Sequence, residues 1–125
     1  MVYSRMVRNE TCLTLWVTLY IQAGSNPGEL FGTQNIRLSG YDCAEVNYGD
    51  LNNSFLYGIR LLPLPGDLLD SYYCHINRPG DDIDQWLNAG ESLVLTQERL
   101  AGMPTLSEFT RLNTGGHQCA PRTTF

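Results

Sequence analysis

Cys74 and His75 put a thiol beside an imidazole, with Asp81, Asp82 and Asp84 a few residues on. His117 and Cys119 repeat the pairing towards the end of the chain. Two thiols and two imidazoles are a sufficient donor set for tetrahedral zinc. The spacing argues against it. Paired thiol ligands are usually about two to four residues apart, and neighbours on a strand point to opposite faces. A cysteine nucleophile at Cys74, with His75 or His117 as base, would want electropositive surroundings to lower its pKa. The surroundings here are acidic. Asp67 and Asp70, with the three later aspartates, could pair as acid and base or hold a hard cation. They lack the alternating ligands, central glycine and closing glutamate of a calcium loop, and fit helix N-terminal charge and solvated surface better. No nucleophile elbow, phosphate-cradling loop or dinucleotide fingerprint occurs. Gly115-Gly116 leads into no helix. The expectation is no catalytic set, no cofactor and no metal, with Cys74, His75, His117 and Cys119 the candidates should a metal bind.

Aromatic residues offer a different chemistry. Trp16 and Tyr20 share one face of a strand pattern, and Tyr72 and Tyr73 follow a proline loop. Such side chains give large contact area with a polar handle. Trp16, Tyr20, Tyr72 and Tyr73 are therefore the candidate partner-binding residues, the alternative being core or subunit-interface packing.

These residues must be held by β structure. Residues 11–22 alternate cleanly. Leu13, Leu15, Val17, Leu19 and Ile21 fall on one side, and Cys12, Thr14, Trp16, Thr18, Tyr20 and Gln22 on the other. A period of two with β-branched and aromatic enrichment is a strand. The apolar side is core. The other side carries no charge, so the strand is either covered on both faces or half of it meets another subunit. Ser25-Asn26-Pro27-Gly28 is a turn, after which Leu30 and Phe31 are expected to tuck under a loop. Short strands are expected at 34–39, 42–48 and 92–97. A longer one at 55–64 should end near Leu62 or lie at a sheet edge, because Pro63 and Pro65 cannot donate to a ladder. Its alternation puts Phe55, Tyr57, Ile59 and Leu61 on one face. Residues 68–75 fit a short helix, or 72–76 a strand. Residues 81–89 fit a helix with acidic residues at its start and Gly90 beyond its end. A helical turn is expected after Thr105, from the capping pattern Thr105 to Glu108. The fold class is therefore mainly β: a small single-domain sandwich or partly open barrel of about five to seven strands with one or two short helices. Residues 1–10 read as an N-terminal arm or leading strand, 11–112 as the β-rich domain and 113–125 as an extended tail.

Composition narrows the function classes. One domain is the ordinary content of 125 residues, and it needs no metal or disulfide to hold a core. The net charge of −5 argues against a nucleic-acid backbone as partner. All eight basic residues are arginine, without a run, and lysine is absent. Charged residues are 17% of the chain against roughly 25% in globular domains, so much of the surface is neutral polar and easily desolvated. Arg5 and Arg8 before an apolar stretch mimic a secretory leader, but Glu10 and the alternating threonines oppose it. No stretch approaches the ~20 apolar residues of a membrane span. A soluble protein is expected, of a virion or the cytoplasm rather than secreted. Its four cysteines are expected as free, mostly buried thiols, although Asn9-Glu10-Thr11 and Asn52-Asn53-Ser54 fit glycosylation sequons.

The functional expectation is a non-enzymatic structural or assembly protein. It would be a subunit of a larger complex, with a phage head, neck or tail component the natural example. Strand-edge pairing and terminal arms would join it to other protein subunits, as a homo-oligomer or in a hetero-assembly. The alternatives are a small binding module, either a secreted carbohydrate or protein binder or an inhibitor of a host enzyme, and a small metal-dependent or cysteine enzyme.

Overall fold

A computed structural model describes residues 2–24, 29–50 and 52–105. The helical turn expected after Thr105, the tail, His117 and Cys119 lie outside those residues.

Among the described residues, seven strands and two short helices follow in the order β1 Val2–Glu10, β2 Thr14–Gln22, β3 Leu30–Leu38, β4 Cys43–Asp50, β5 Leu56–Leu64, β6 Tyr72–His75, α1 Asp82–Asn88, β7 Ser92–Thr96 and α2 Gln97–Ala101. They form two sheets, one ordered β4-β1-β7 and the other β3-β2-β5-β6. The protein is a small mainly β domain without a closed barrel, the sandwich branch of the expected fold class. Residues 2–10 are no detached arm. They are the middle strand of the first sheet, antiparallel to β4 and parallel to β7.

The alternation in β2 sets the core. Leu15, Val17, Leu19 and Ile21 are buried, facing Val7, Val46, Leu93 and Leu95 of the other sheet within one apolar cluster. Full burial of each such side chain stabilises by about 1.5–3 kcal/mol. Leu38, Leu56, Ile59, Leu61 and Tyr72 complete the inner face of the second sheet.

The β5 alternation departs from the expected one at a single residue. Tyr20 pairs with Gly58 but Ile21 pairs with Leu56, so Tyr57 is a bulge. The bulge changes the phase and puts Leu56 in the core together with Ile59 and Leu61. β5 also runs two residues past Leu62. Pro63 pairs with Leu15, and β6 reaches only Gly58 to Leu61, so the proline faces β2 on one side and no strand on the other.

The chain at 68–75 takes the strand alternative. Leu68–Asp70 is one 3-10 turn and Tyr72–His75 is β6. The α1 helix is where its acidic start placed it, capped by Asp81, whose carboxylate accepts from the Asp84 amide. No sequence pattern predicts the α2 helix. It has only five residues, too short to show a period, and is started by the Thr96 hydroxyl accepting from the Arg99 amide.

Candidate interaction surface

On β6 the adjacent Cys74 and His75 face opposite ways. Cys74 pairs with Ile59 on the inner side and packs against the core. His75 pairs with Gly58 on the outer side and stacks on Tyr57, ring centroids 5.4 Å apart. Thiol and imidazole therefore share no site. Among the described residues, no group of three or more His, Cys, Asp or Glu is placed to hold a metal ion.

A cleft of about 380 Å³ opens beside Cys74, lined also by Ile83, Thr96, Arg99 and Met103. Its chemistry is quiet. Burial pushes the Cys74 thiol from its ordinary 9.0 up to about 12, and the pull of Arg99 is a smaller effect. Arg99 itself is held by Asp82 at 2.8 Å and lies over the Trp86 ring. Cys12 and Cys43 are exposed free thiols, which corrects the expectation of mostly buried ones, and Cys74 is free as well.

A labelling prediction follows. At pH 8, iodoacetamide should modify Cys12 and Cys43 in the native protein and reach Cys74 only after denaturant is added, as peptide mass mapping would read. Tyr73 is shifted in the same sense, from 10.0 to about 12, by burial and then by the neighbouring Tyr20 and Tyr57. Both groups are acids whose neutral form the fold favours. Their contribution is complete below the unfolded pKa values and is lost as pH rises from about 9 through about 12.

The sandwich treats its edges unequally. The β6 edge is covered, since Tyr73 donates its amide to the Pro104 carbonyl and Tyr72 bridges Thr105. At β7 the Trp86 indole N–H donates to the Val94 carbonyl at 2.8 Å. On the opposite side, β3 and β4 end their sheets. The β4 strand carries Glu45 and ends in Asp50, whereas Arg37 is the one charge in the nine residues of β3. Leu30 and Phe31, expected under a loop, open β3 instead and are 48% and 52% exposed.

Next to that edge lies the outer face of the second sheet. Cross-strand register builds it in rows. Arg37, Trp16 and Leu62 form one. Asn35, Thr18, Arg60 and Tyr73 form the next, and Thr33, Tyr20, Gly58 and His75 the third. The bulge aims Tyr57 at the same face, and Tyr20 meets Tyr73 edge-on at 5.8 Å. Gly58 lets β6 come close, because a Cβ there would stand 2.8 Å from the Cys74 carbonyl oxygen. Arg60 donates to the Thr18 hydroxyl at 3.2 Å, and that hydroxyl lies 2.7 Å from Asn35 Oδ1. The Arg60 Nε is buried and has no acceptor among the described residues. Trp16 is 37% exposed.

Of the four aromatic residues singled out from the sequence, Trp16, Tyr20 and Tyr73 share this face. Tyr72 does not: it is 4% exposed and belongs to the core. Sequence reasoning missed Tyr57, His75, Arg37 and Arg60 as its companions. Their meeting depends on the pairing of β3, β5 and β6 and on one bulge.

No protein-family model, curated protein or solved structure matches this chain. Among the described residues no helix is long and apolar enough to cross a membrane.

Proposed function

We propose that this chain is a non-enzymatic assembly subunit that joins other protein subunits by strand addition at the β3 edge. A repetitive assembly such as a virion, with a phage head, neck or tail component as the example, is the proposed setting. The observation that carries the reading is the state of β3. It is nine residues long, ends its sheet, contains one charge and no proline, and starts with exposed Leu30 and Phe31. Monomeric β proteins usually blunt such an edge with charge, proline, a bulge or a covering segment; β3 has one bulge, at Phe31 near its start, and pairs in regular register with β2 from Gly32 to Leu38. Among the described residues β6 meets Pro104 and Thr105 and β7 takes the Trp86 indole at Val94, whereas no segment pairs with the outer edge of β3. Strand addition would draw affinity from backbone hydrogen bonds and specificity from alternate side chains.

The test is the mass of the native protein in solution at about 100 µM and about 500 mM NaCl, where exposed charge pairs are screened, by light scattering after gel filtration. The wild-type chain should elute as an oligomer. The variant Gln34→Lys adds a charge at an exposed edge position in phase with Leu19 and off the outer face, and should be largely monomeric with an unchanged circular-dichroism spectrum. A wild-type monomer, or a variant that assembles as well as wild type, would sink the reading.

A further inference from the structure

We infer that the outer face of the four-stranded sheet docks against the acidic surface of a second copy of this chain, an inference that rests on the assembly reading above. The first support is charge segregation. The chain has 13 carboxylates and eight arginines. None of the carboxylates is among the strand residues facing outward on β2, β3, β5 and β6, whereas Arg37 and Arg60 are. Setting those two aside, six arginines remain against all 13 carboxylates. Among the described residues this outer sheet face is therefore basic and free of carboxylates, while the other described residues carry 12 carboxylates and four arginines, so two copies are complementary. Arg37 and Arg60 flank β2 on its two sides, one row apart, about 12 Å between backbone positions from two strand spacings and a two-residue rise.

The second support is the kind of residue present. Trp, Tyr and Arg are the types that dominate protein–protein binding energy, and this face combines Trp16, Tyr20, Tyr57 and Tyr73 with the two arginines. Arg60 is already oriented by its bond to Thr18, and a guanidinium grips a carboxylate in a forked pair. Two arginines are too few for a phosphate backbone, where binding grows with each phosphate neutralised. A basic face on an acidic surface is not self-complementary, so the contact is heterologous and propagates as a ring or filament. Strand addition at β3 and this contact would then give each subunit two different joints.

Salt separates the two joints. Backbone strand pairing changes little with ionic strength, whereas exposed charge pairs are screened. Sedimentation velocity of the full chain at about 50 and about 500 mM NaCl should show larger species at low salt. The self-association constant should weaken about tenfold or more across that range. Arg37→Glu should abolish the salt-sensitive step. The Arg37 side chain makes no hydrogen bond or ion pair among the described residues, so this variant folds even if Arg60→Gln does not. Arg60→Gln should weaken the same step about tenfold.

The edge variant Gln34→Lys should lose the salt-insensitive step and retain the salt-sensitive one. Loss of the second joint alone therefore overturns this inference without touching the first. Association indifferent to salt and to Arg37→Glu would overturn it. So would an edge variant that is monomeric at about 50 mM NaCl, whether the face is then taken by residues 106–125 or by another acidic protein.

Discussion

Replacing Asn9 with alanine is expected to remove about 3–5 kcal/mol of folding stability, seen as a lower urea midpoint at unchanged slope. Asn9 is 1% exposed, on the inner side of β1 near the point where the chain turns into β2. Its Nδ2 donates to the Leu13 carbonyl at 2.7 Å, the Ser39 carbonyl at 3.0 Å and the Leu38 carbonyl at 3.3 Å. Its Oδ1 accepts from the Thr11 amide at 3.0 Å and the Thr11 hydroxyl at 2.7 Å. One amide thus ties the β1–β2 turn to the β3–β4 turn. Alanine would deprive the buried Leu38 carbonyl and the Thr11 amide of this partner, and the part-buried Leu13 carbonyl too, while Ser39 keeps the Asp42 amide; each unsatisfied group costs about 1–3 kcal/mol. A loss below about 1 kcal/mol would show that water replaces the amide and that the turns hold without it. The same burial decides the first sequon. With Nδ2 occupied inside the fold, Asn9 cannot carry a glycan in the native protein, whereas Asn52 of the second sequon is exposed.

Asn88→Ala is expected to cost about 2–4 kcal/mol and to free the start of β5. Leu56 is fully buried beyond the reach of β6, whose pairing begins at Gly58. Asn88 takes the missing strand's place. Its Oδ1 accepts from the Leu56 amide at 2.7 Å and its Nδ2 donates to the Leu56 carbonyl at 3.0 Å. The same Nδ2 donates to Asp84 Oδ1 at 2.8 Å, which fixes the rotamer from within α1. Without the amide, two backbone groups of a buried residue lose their partners. Hydrogen exchange should then accelerate at Leu56 and through α1 while β1 and β4 keep their protection. Uniform acceleration across all strands would mean that Asn88 supports the whole fold rather than this junction.

Both asparagines do in three dimensions what a strand or turn does elsewhere, and neither was legible in the sequence. Asn9 stands in a sequon pattern and Asn88 at the end of a helix pattern. Their partners, Leu38 and Leu56, are 29 and 32 residues away. The candidate surface divides in the same way. Trp16 and Tyr20 on one face of β2 follow from alternation alone. Tyr73 and Tyr72 are neighbours in the chain, and only the choice of strand over helix at 72–75 sends one out and the other in.

By itself the sequence determined what local chemistry controls. It set the mainly β class through period-two alternation in β2, the α1 helix through its acidic capped start, and the uncharged outer side of β2. It also separated Cys74 from His75, because neighbours on any strand diverge. Only the tertiary structure decided which strands pair. That choice made residues 2–10 a central strand, put the Tyr57 bulge against Tyr20 and Ile21, and, among the described residues, set Pro104 beside β6 and Trp86 beside β7, left the outer edge of β3 unpaired and gathered Arg37 and Arg60 on one face. Pairing partners 30 or more residues apart are selected by how the two apolar faces fit and by which backbone groups find acceptors, and no window of the sequence contains that information.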